Sequence, residues 1–167
     1  MTNFKALLQA LSEARVNFVI VGAYAAVLHG LAGVTQDLDI CYERTPENLK
    51  RLASAFKPHH PRLRGAPPGL PFKLDADTLK RGMNFTLTTD LGDVDLLGEL
   101  DGVGQFSSVS QAAESISIFN IPCRVAGLNV IIQSKRAAAR PKDLSALPEL
   151  EALKELKDAQ KRQKNKN

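Results

Sequence analysis

The sequence predicts an α/β fold of the α+β type, in which a mixed sheet is flanked by helices and the C-terminal helices pack alongside. Residues 18–42 read as an apolar run, a small-residue turn, a helical stretch and a second apolar run. Residues 83–89 alternate in the manner of a strand, and after a turn residues 94–97 return as its partner. A first helix over residues 3–14 is indicated by apolar side chains at helical spacing: Phe4, Leu7, Leu8 and Leu11.

The chain between these strands holds one further helix and one irregular loop. Thr45 is a suitable N-cap and Pro46 suits the first helical position, so a helix is expected over residues 46–56. Residues 58–71 contain five prolines and two glycines, a composition that predicts no regular structure. We expect the charged side chains of this loop to be solvated, with contact between its arginines and an acceptor substrate as the alternative: His59, His60, Arg62 and Arg64.

Two strands and two helices are predicted in the second half of the chain. The strands lie near residues 116–119 and 122–126, with a turn at Asn120 and Ile121. A helix begins at residue 130 and ends near residue 139. A final helix over residues 143–160 is interrupted only by a proline. Its leucines, spaced three residues apart, predict one apolar stripe: Leu144, Leu147, Leu150, Leu153 and Leu156.

The most informative side chains are two carboxylates in the apolar run that ends at Tyr42. Asp37 and Asp39 are two residues apart and therefore project from the same face of a strand. Burying two unpaired like charges is costly, which favours a cation between them. Asp95 lies between apolar neighbours and is the third candidate, whereas Asp93 lies next to a predicted turn and is expected to be exposed. Three such carboxylates beside a turn of small residues are typical of a Mg²⁺-dependent phosphoryl-transfer site.

A motif joins these carboxylates to the turn. The sequence VGA at 21–23 is followed, after thirteen residues, by DLDI at 37–40, and VDL stands at 94–96. These residues resemble the pattern of the nucleotidyltransferase superfamily of the DNA polymerase β type. That pattern is an apolar residue, Gly, then Gly or Ser, a spacer, and Asp-x-Asp/Glu, with a third carboxylate on a later strand.

A second match lies downstream, in QSKRAAARPKDLSAL at residues 133–147. It resembles the Lys…Arg-x-Lys-Asp-Leu segment of the small bacterial branch that includes AbiEii-type toxin nucleotidyltransferases. The resemblance implies that Lys135 and Arg140 bind the nucleotide phosphates. The residues alone leave an alternative, because Arg140 is three positions from Asp143 and the two would pair around a helix start. The whole resemblance covers roughly residues 17–147.

The resemblance implies a minimal nucleotidyltransferase fold and a Mg²⁺-dependent enzyme. Such an enzyme moves a nucleoside monophosphate from a nucleoside triphosphate (NTP) to an acceptor hydroxyl. The three carboxylates would ligate the metal, while Gly22, Ala23 and the start of the following helix would hold the triphosphate. Thr35 is a further candidate for phosphate contact. The implied acceptor is an RNA such as tRNA, a protein or a small molecule, and the branch adds a toxin role with an antitoxin as partner.

Two departures from the pattern leave a second function open. Ala23 stands where the pattern has Gly or Ser, and Gly33 stands where relatives often carry Arg. Both departures remove a possible contact to the triphosphate. The alternative is therefore a catalytically degenerate binding module of the same fold, and a third hypothesis is an adaptor whose basic C-terminus docks a partner.

The basic residues are concentrated near the C-terminus. Of the 22 basic and 18 acidic side chains, 10 and 5 respectively lie in residues 133–167. We therefore expect a nucleotidyltransferase-like domain at 1–153 and a basic tail at 154–167, which either attracts nucleic acid or simply suits a helix end. No run of about 18 apolar residues is present, so we expect a cytoplasmic protein without a membrane span. Cys41 and Cys123 are expected to be buried free thiols.

Overall fold

The centre of the fold is a seven-stranded mixed sheet, seen in a computed structural model that describes all residues from 1 to 167. Its strand order is β3-β4-β5-β2-β1-β9-β8, and β6 pairs with β7 in a separate hairpin. The pairs β2–β5 and β1–β9 are parallel, and all other pairs are antiparallel. The strands are β1 (Phe18–Val21), β2 (Asp37–Tyr42), β3 (Arg62–Leu63), β4 (Asn84–Thr89), β5 (Gly92–Leu97), β6 (Glu99–Leu100), β7 (Gly104–Gln105), β8 (Glu114–Ile118) and β9 (Ile121–Val125).

Helices flank this sheet, as the sequence predicts. Helix α3 packs against α1 and α4, while α6 packs against α2 and α7. None of the helices combines the length and the apolar character needed to cross a membrane. The helices are α1 (Phe4–Glu13), α2 (Gly22–Leu28), α3 (Pro46–Phe56), α4 (Ala76–Arg81), α5 (Phe106–Gln111), α6 (Leu128–Ala138) and α7 (Pro141–Lys164), with a short 3₁₀ helix at Lys57–His59.

The register of the two central strands positions the acidic residues. On the parallel pair β2–β5, Asp39 lies opposite Asp95 and Asp37 lies opposite Asp93. The intervening side chains point to the other face and are fully buried in the core: Leu38, Ile40, Val94 and Leu96. Because strand side chains alternate, this burial fixes all four carboxylates on one face of the sheet.

The structure corrects three boundaries. The proline-rich loop contains β3, in which Leu63 pairs with Leu87 at the edge of the sheet. Strand β5 begins at Gly92, so Asp93 lies inside the strand and not in the turn before it. The turn between β8 and β9 is formed by Phe119 and Asn120, both in the left-handed region with φ of 52° and 63°, one residue earlier than predicted.

Helix α7 is longer than predicted, and its leucine stripe is only partly buried. Leu150 is fully buried, whereas Leu144 and Leu156 are 50% and 58% exposed. A spacing of three residues falls short of a helical turn by about 60°, so the stripe winds away from the packed face at both ends. The helix also continues without a break past residue 153, and the division into a domain and a tail remains a prediction.

Candidate active site

The structure brings the three predicted carboxylates together. The side chains of Asp37 and Asp39 on β2 and of Asp95 on β5 can each offer an oxygen, and these oxygens lie within 4.8 Å of one another. Asp37 and Asp95 are partly open to solvent, with side chains 34% and 23% exposed. All the donors are carboxylate oxygens, the ligand type that Mg²⁺ prefers in proteins. The three side chains therefore form a suitable donor set for a divalent cation.

Gly22 gives this cluster its shape. Strand β1 ends opposite Asp39, and α2 begins at Gly22 directly beside the carboxylate. Gly22 has a φ of +67°, and a Cβ placed there would lie 1.9 Å from Asp39 Oδ2. Only glycine leaves room for Asp39 at this turn, which explains physically why the residue before Ala23 has no side chain.

The electrostatics of the cluster favour a bound cation. Burial, together with the charges of Asp37 and Asp95, raises the pKa of Asp39 to about 7, and the charge of Lys142 only partly opposes this. Burial also raises the pKa of Asp95, against the opposing charge of Arg64. A carboxylate that holds its proton near neutral pH lacks a sufficient counter-charge. A divalent cation at the cluster would supply that charge.

Arg64 is a site residue that the sequence reasoning did not assign to the carboxylates. Its guanidinium donates to Asp95 Oδ1 at 2.9 Å and to the carbonyl of Leu87 at 2.9 Å. It also lies 3.6 Å from Asp37 Oδ2 and 3.3 Å from Asp93 Oδ2. Asp93, expected to be exposed, is thus a fourth carboxylate at the edge of the cluster, where it also accepts a hydrogen bond from Thr88 at 2.8 Å.

The two predicted phosphate-binding cations share a cavity with Asp39. Lys135 and Arg140 line a cavity of about 100 Å³ together with Gly22 and Asp39. Both are held by Asp143, whose side chain is 2% exposed and lies 3.5 Å from Lys135 Nζ and 2.6 Å from Arg140 Nε. The pairing of Arg140 with Asp143 is therefore present, and it occurs inside the cavity beside the carboxylates.

Thr35 lies next to the cluster, and its hydroxyl donates to the backbone carbonyl of Asp37 at 3.1 Å. Tyr24 in α2 and His29, the C-cap residue of that helix, have structural roles. The ring of Tyr24 stacks on Phe4 with centroids 4.3 Å apart. His29 is buried and bonds through Nε2 to the carbonyl of Ala126 at 2.7 Å.

The remaining histidine and cysteine side chains do not belong to the carboxylate group. His60 pairs with Asp90, and neither belongs to the group of acidic residues that could hold a metal ion. Cys41 and Cys123 are free and buried, as predicted. Burial raises the pKa of both thiols, to about 12 for Cys41, which disfavours the reactive thiolate.

Comparison with known proteins shows the fold. No protein-family model matches the chain, and no curated protein sequence does. Among solved structures, a candidate nucleotidyltransferase from Thermotoga maritima matches with a TM-score of 0.57 and 14% identity, over 87% of this chain and 88% of that one.

Two structures of ANT(2″)-Ia also match at 14% identity. The crystal structure in complex with adenylyl-2″-tobramycin has a TM-score of 0.54 and covers 93% of this chain and 95% of that one. The solution structure, described as an antibiotic-resistance factor, has a TM-score of 0.54 and covers 96% and 92%. The chain therefore has the nucleotidyltransferase fold, as the resemblance implies.

Proposed function

We propose that the protein is a Mg²⁺-dependent nucleotidyltransferase that moves a nucleoside monophosphate from an NTP to an acceptor hydroxyl. The observation that carries this proposal is the convergence of Asp37, Asp39 and Asp95 on adjacent strands of a nucleotidyltransferase fold. Buried core residues alternate with them, so their common orientation is built into the sheet.

We assign the NTP to the cavity that Lys135 and Arg140 line beside Asp39. Lys135 and Arg140 line the cavity that contains Gly22 and Asp39, which favours them as ligands of the triphosphate. Asp143 orients both cations from a buried position. The backbone at Gly22 and Ala23 is close enough to Asp39 to approach the same phosphates, and Thr35 supplies a hydroxyl next to Asp37.

In the proposed reaction the acceptor oxygen bonds to the α-phosphorus, and the bond from that phosphorus to the bridging oxygen breaks. Pyrophosphate leaves, and the acceptor's proton passes to the carboxylate of Asp95. Asp37, Asp39 and Asp95 would hold Mg²⁺, which when bound increases the acidity of the acceptor hydroxyl and neutralises charge on the phosphates. Lys135 and Arg140 neutralise the charge of the departing pyrophosphate.

Several acceptor classes are compatible with this site. The crystal structure of ANT(2″)-Ia is a complex with adenylyl-2″-tobramycin, which favours a small hydroxylated molecule as acceptor. The basic side chains near the end of α7, including Lys161, Arg162 and Lys164, favour RNA or tRNA instead. A protein side chain is the third class. Assignment to the AbiEii-like branch and a toxin role with an antitoxin are proposed on the sequence resemblance alone, and a cytoplasmic location is proposed on the composition of the sequence.

The test is incubation of the purified protein with each α-labelled NTP and Mg²⁺, in separate tubes containing total RNA, a metabolite extract or no addition. We expect one NTP to transfer label to one acceptor class, and EDTA to stop the transfer. Label on the protein itself in the tube without addition would identify a protein acceptor. Calorimetry with the same NTP should show binding that requires Mg²⁺.

The second candidate function is a catalytically degenerate binding module. It is favoured by Ala23, which offers no hydroxyl, and by Gly33, which presents no side chain to the site. This alternative predicts that no label moves in any tube and that calorimetry shows no Mg²⁺-dependent NTP binding. Mg²⁺-dependent NTP binding without transfer would instead support the enzyme hypothesis and indicate that the acceptor was absent from the tubes.

A further inference from the structure

Arg64 places a positive charge inside the carboxylate cluster. Its guanidinium spans three carboxylates, at 2.9 Å from Asp95, 3.3 Å from Asp93 and 3.6 Å from Asp37. The Arg64 side chain is only 28% exposed, so these pairs are partly shielded from solvent. A charge held in this way interacts more strongly with its neighbours than a charge on the open surface does.

The contacts of Arg64 divide into two groups. Asp37 and Asp95 are also members of the group that could hold a metal ion. Asp93 and the carbonyl of Leu87, which Arg64 also contacts, do not belong to this metal-binding group. The guanidinium therefore shares two carboxylates with any divalent cation bound there, and it keeps one hydrogen-bond acceptor, the Leu87 carbonyl, and one ion-pair partner, Asp93, that the cation does not need.

The position of Arg64 allows the side chain to move while its backbone stays fixed. The backbone N–H of Arg64 bonds to the carbonyl of Thr86 at 2.9 Å, which ties the residue to β4 at the edge of the sheet. The guanidinium reaches the carboxylates through its flexible side chain. One terminal nitrogen, Nη2, donates to both Asp95 Oδ1 and the Leu87 carbonyl, and it carries two N–H groups, so the bond to Asp95 can break while the bond to Leu87 is kept.

We propose that Arg64 is a displaceable internal counter-cation, which neutralises Asp37 and Asp95 when no divalent cation is bound and competes with that cation for them. On metal binding, Arg64 releases these two carboxylates and remains paired with Asp93 and the Leu87 carbonyl. The inference rests on the metal site of the proposed function. Arg64 thereby lowers the affinity of the site for metal. The divalent cation binds only when it, alone or with an NTP, outcompetes the arginine for Asp37 and Asp95.

The test compares Mn²⁺ binding to the wild-type protein, Arg64→Gln and Arg62→Gln, by electron paramagnetic resonance at pH 8 without nucleotide. Arg62→Gln is the matched control, because Arg62 is an exposed residue of β3, two positions before Arg64, and forms no ion pair with the cluster. We expect Arg64→Gln to bind Mn²⁺ on the order of tenfold more tightly than the wild type. Arg62→Gln should change the affinity by less than about twofold, since its charge is screened.

Thermal unfolding with and without Mn²⁺ provides a second measurement and a check on folding. The rise in melting temperature caused by Mn²⁺ should be larger for Arg64→Gln than for the wild type or Arg62→Gln. Equal affinities in all three proteins, or weaker binding by Arg64→Gln, would overturn the role of Arg64 and leave the metal site itself intact. Failure of all three folded proteins to bind Mn²⁺ would overturn both this inference and the metal site.

Discussion

Replacement of Asp39 by Asn is expected to abolish nucleotidyl transfer and, in the same variant, to stabilise the metal-free protein. Asp39 lies at the centre of the cluster, between the Gly22 turn and Asp95. In the proposed site Asp39 holds the cation, and Asn lacks the negative charge with which it would do so. We expect the transfer rate to fall on the order of a thousandfold or more, because positioning and charge neutralisation provide most of the catalysis in phosphoryl transfer.

Asp93→Asn is the matched control for activity. Asp93 lies on the same face of β5, two residues from Asp95, and is not a member of the group that could hold a metal ion. We expect Asp93→Asn to reduce the transfer rate by less than about tenfold, since Asp93 contacts Arg64 and Thr88 and is not a proposed metal ligand. An equal loss of transfer in Asp39→Asn and Asp93→Asn would contradict the assignment of the three ligands.

The stability effect follows from the direction of the pKa shift. Asp39 has a pKa of about 7 in the folded protein against an ordinary value of 3.8, so between these pH values the folded state retains a proton that the unfolded state has lost. The contribution of Asp39 to the free energy of unfolding is therefore complete below about pH 4 and is lost as the pH rises towards 7. Asn does not ionise, so Asp39→Asn avoids this pH-dependent loss of unfolding free energy. We therefore expect the variant to be more stable than the wild type by about 2 kcal/mol at pH 8.

Urea unfolding at pH 5, 6, 7 and 8 in EDTA provides the measurement. The difference in unfolding free energy between Asp39→Asn and the wild type should grow with pH and level off above about pH 7. Saturating Mg²⁺ should reverse the order of the two proteins, because the cation stabilises only the intact ligand set. A difference that does not depend on pH would show that Asp39 is ionised throughout this range.

Gly22→Ala is the second substitution for which we expect a large effect. The added Cβ would lie 1.9 Å from Asp39 Oδ2 and 2.8 Å from its Cγ, and the residue would have to keep a φ of +67°. Asp39 must therefore move, or α2 must shift away from β1. We expect a loss of several kcal/mol in unfolding free energy and the loss of transfer, since both strain and overlap oppose the native turn.

Gly69→Ala separates these two contributions. Gly69 also has a left-handed backbone, with a φ of +83°, but a Cβ there meets nothing within 4 Å. Its substitution should cost only about 1 kcal/mol and leave transfer unchanged. Chemical unfolding and the label-transfer assay on both variants provide the comparison. A Gly22→Ala protein as stable and active as Gly69→Ala would show that Asp39 does not depend on the turn.

The parts of the fold that could be predicted from sequence are those fixed by local chemistry. Thr45 caps α3 through its side chain, which accepts from Asn48 N, as its position before Pro46 indicates. The two-residue spacing of Asp37 and Asp39 placed them on one face, because strand geometry leaves no other arrangement. A similar local signal marks α4, where Asp75 caps the helix and Gly82 follows it, although the helix was not predicted.

The missed features depend on contacts between distant segments. Arg64 reaches the carboxylates because a two-residue edge strand pairs with β4, and no periodicity can be read from two residues. Asp93 lies inside β5 because Gly92, with a φ of +122°, lets the strand begin directly after the turn. The short hairpin β6–β7 and helix α5 were also not predicted, because each element contains too few residues to show a periodic pattern. Thus the three candidate metal ligands were predictable from sequence, whereas Asp93 and Arg64 were not.

The measurement that tests the central claim most directly is anomalous X-ray diffraction from crystals grown with Mn²⁺ and a non-hydrolysable NTP. The account predicts Mn²⁺ roughly 2.1 Å from oxygens of Asp37, Asp39 and Asp95, with the triphosphate in the cavity lined by Lys135 and Arg140. Bound nucleotide with no Mn²⁺ at these three carboxylates, or Mn²⁺ at another site alone, would contradict it.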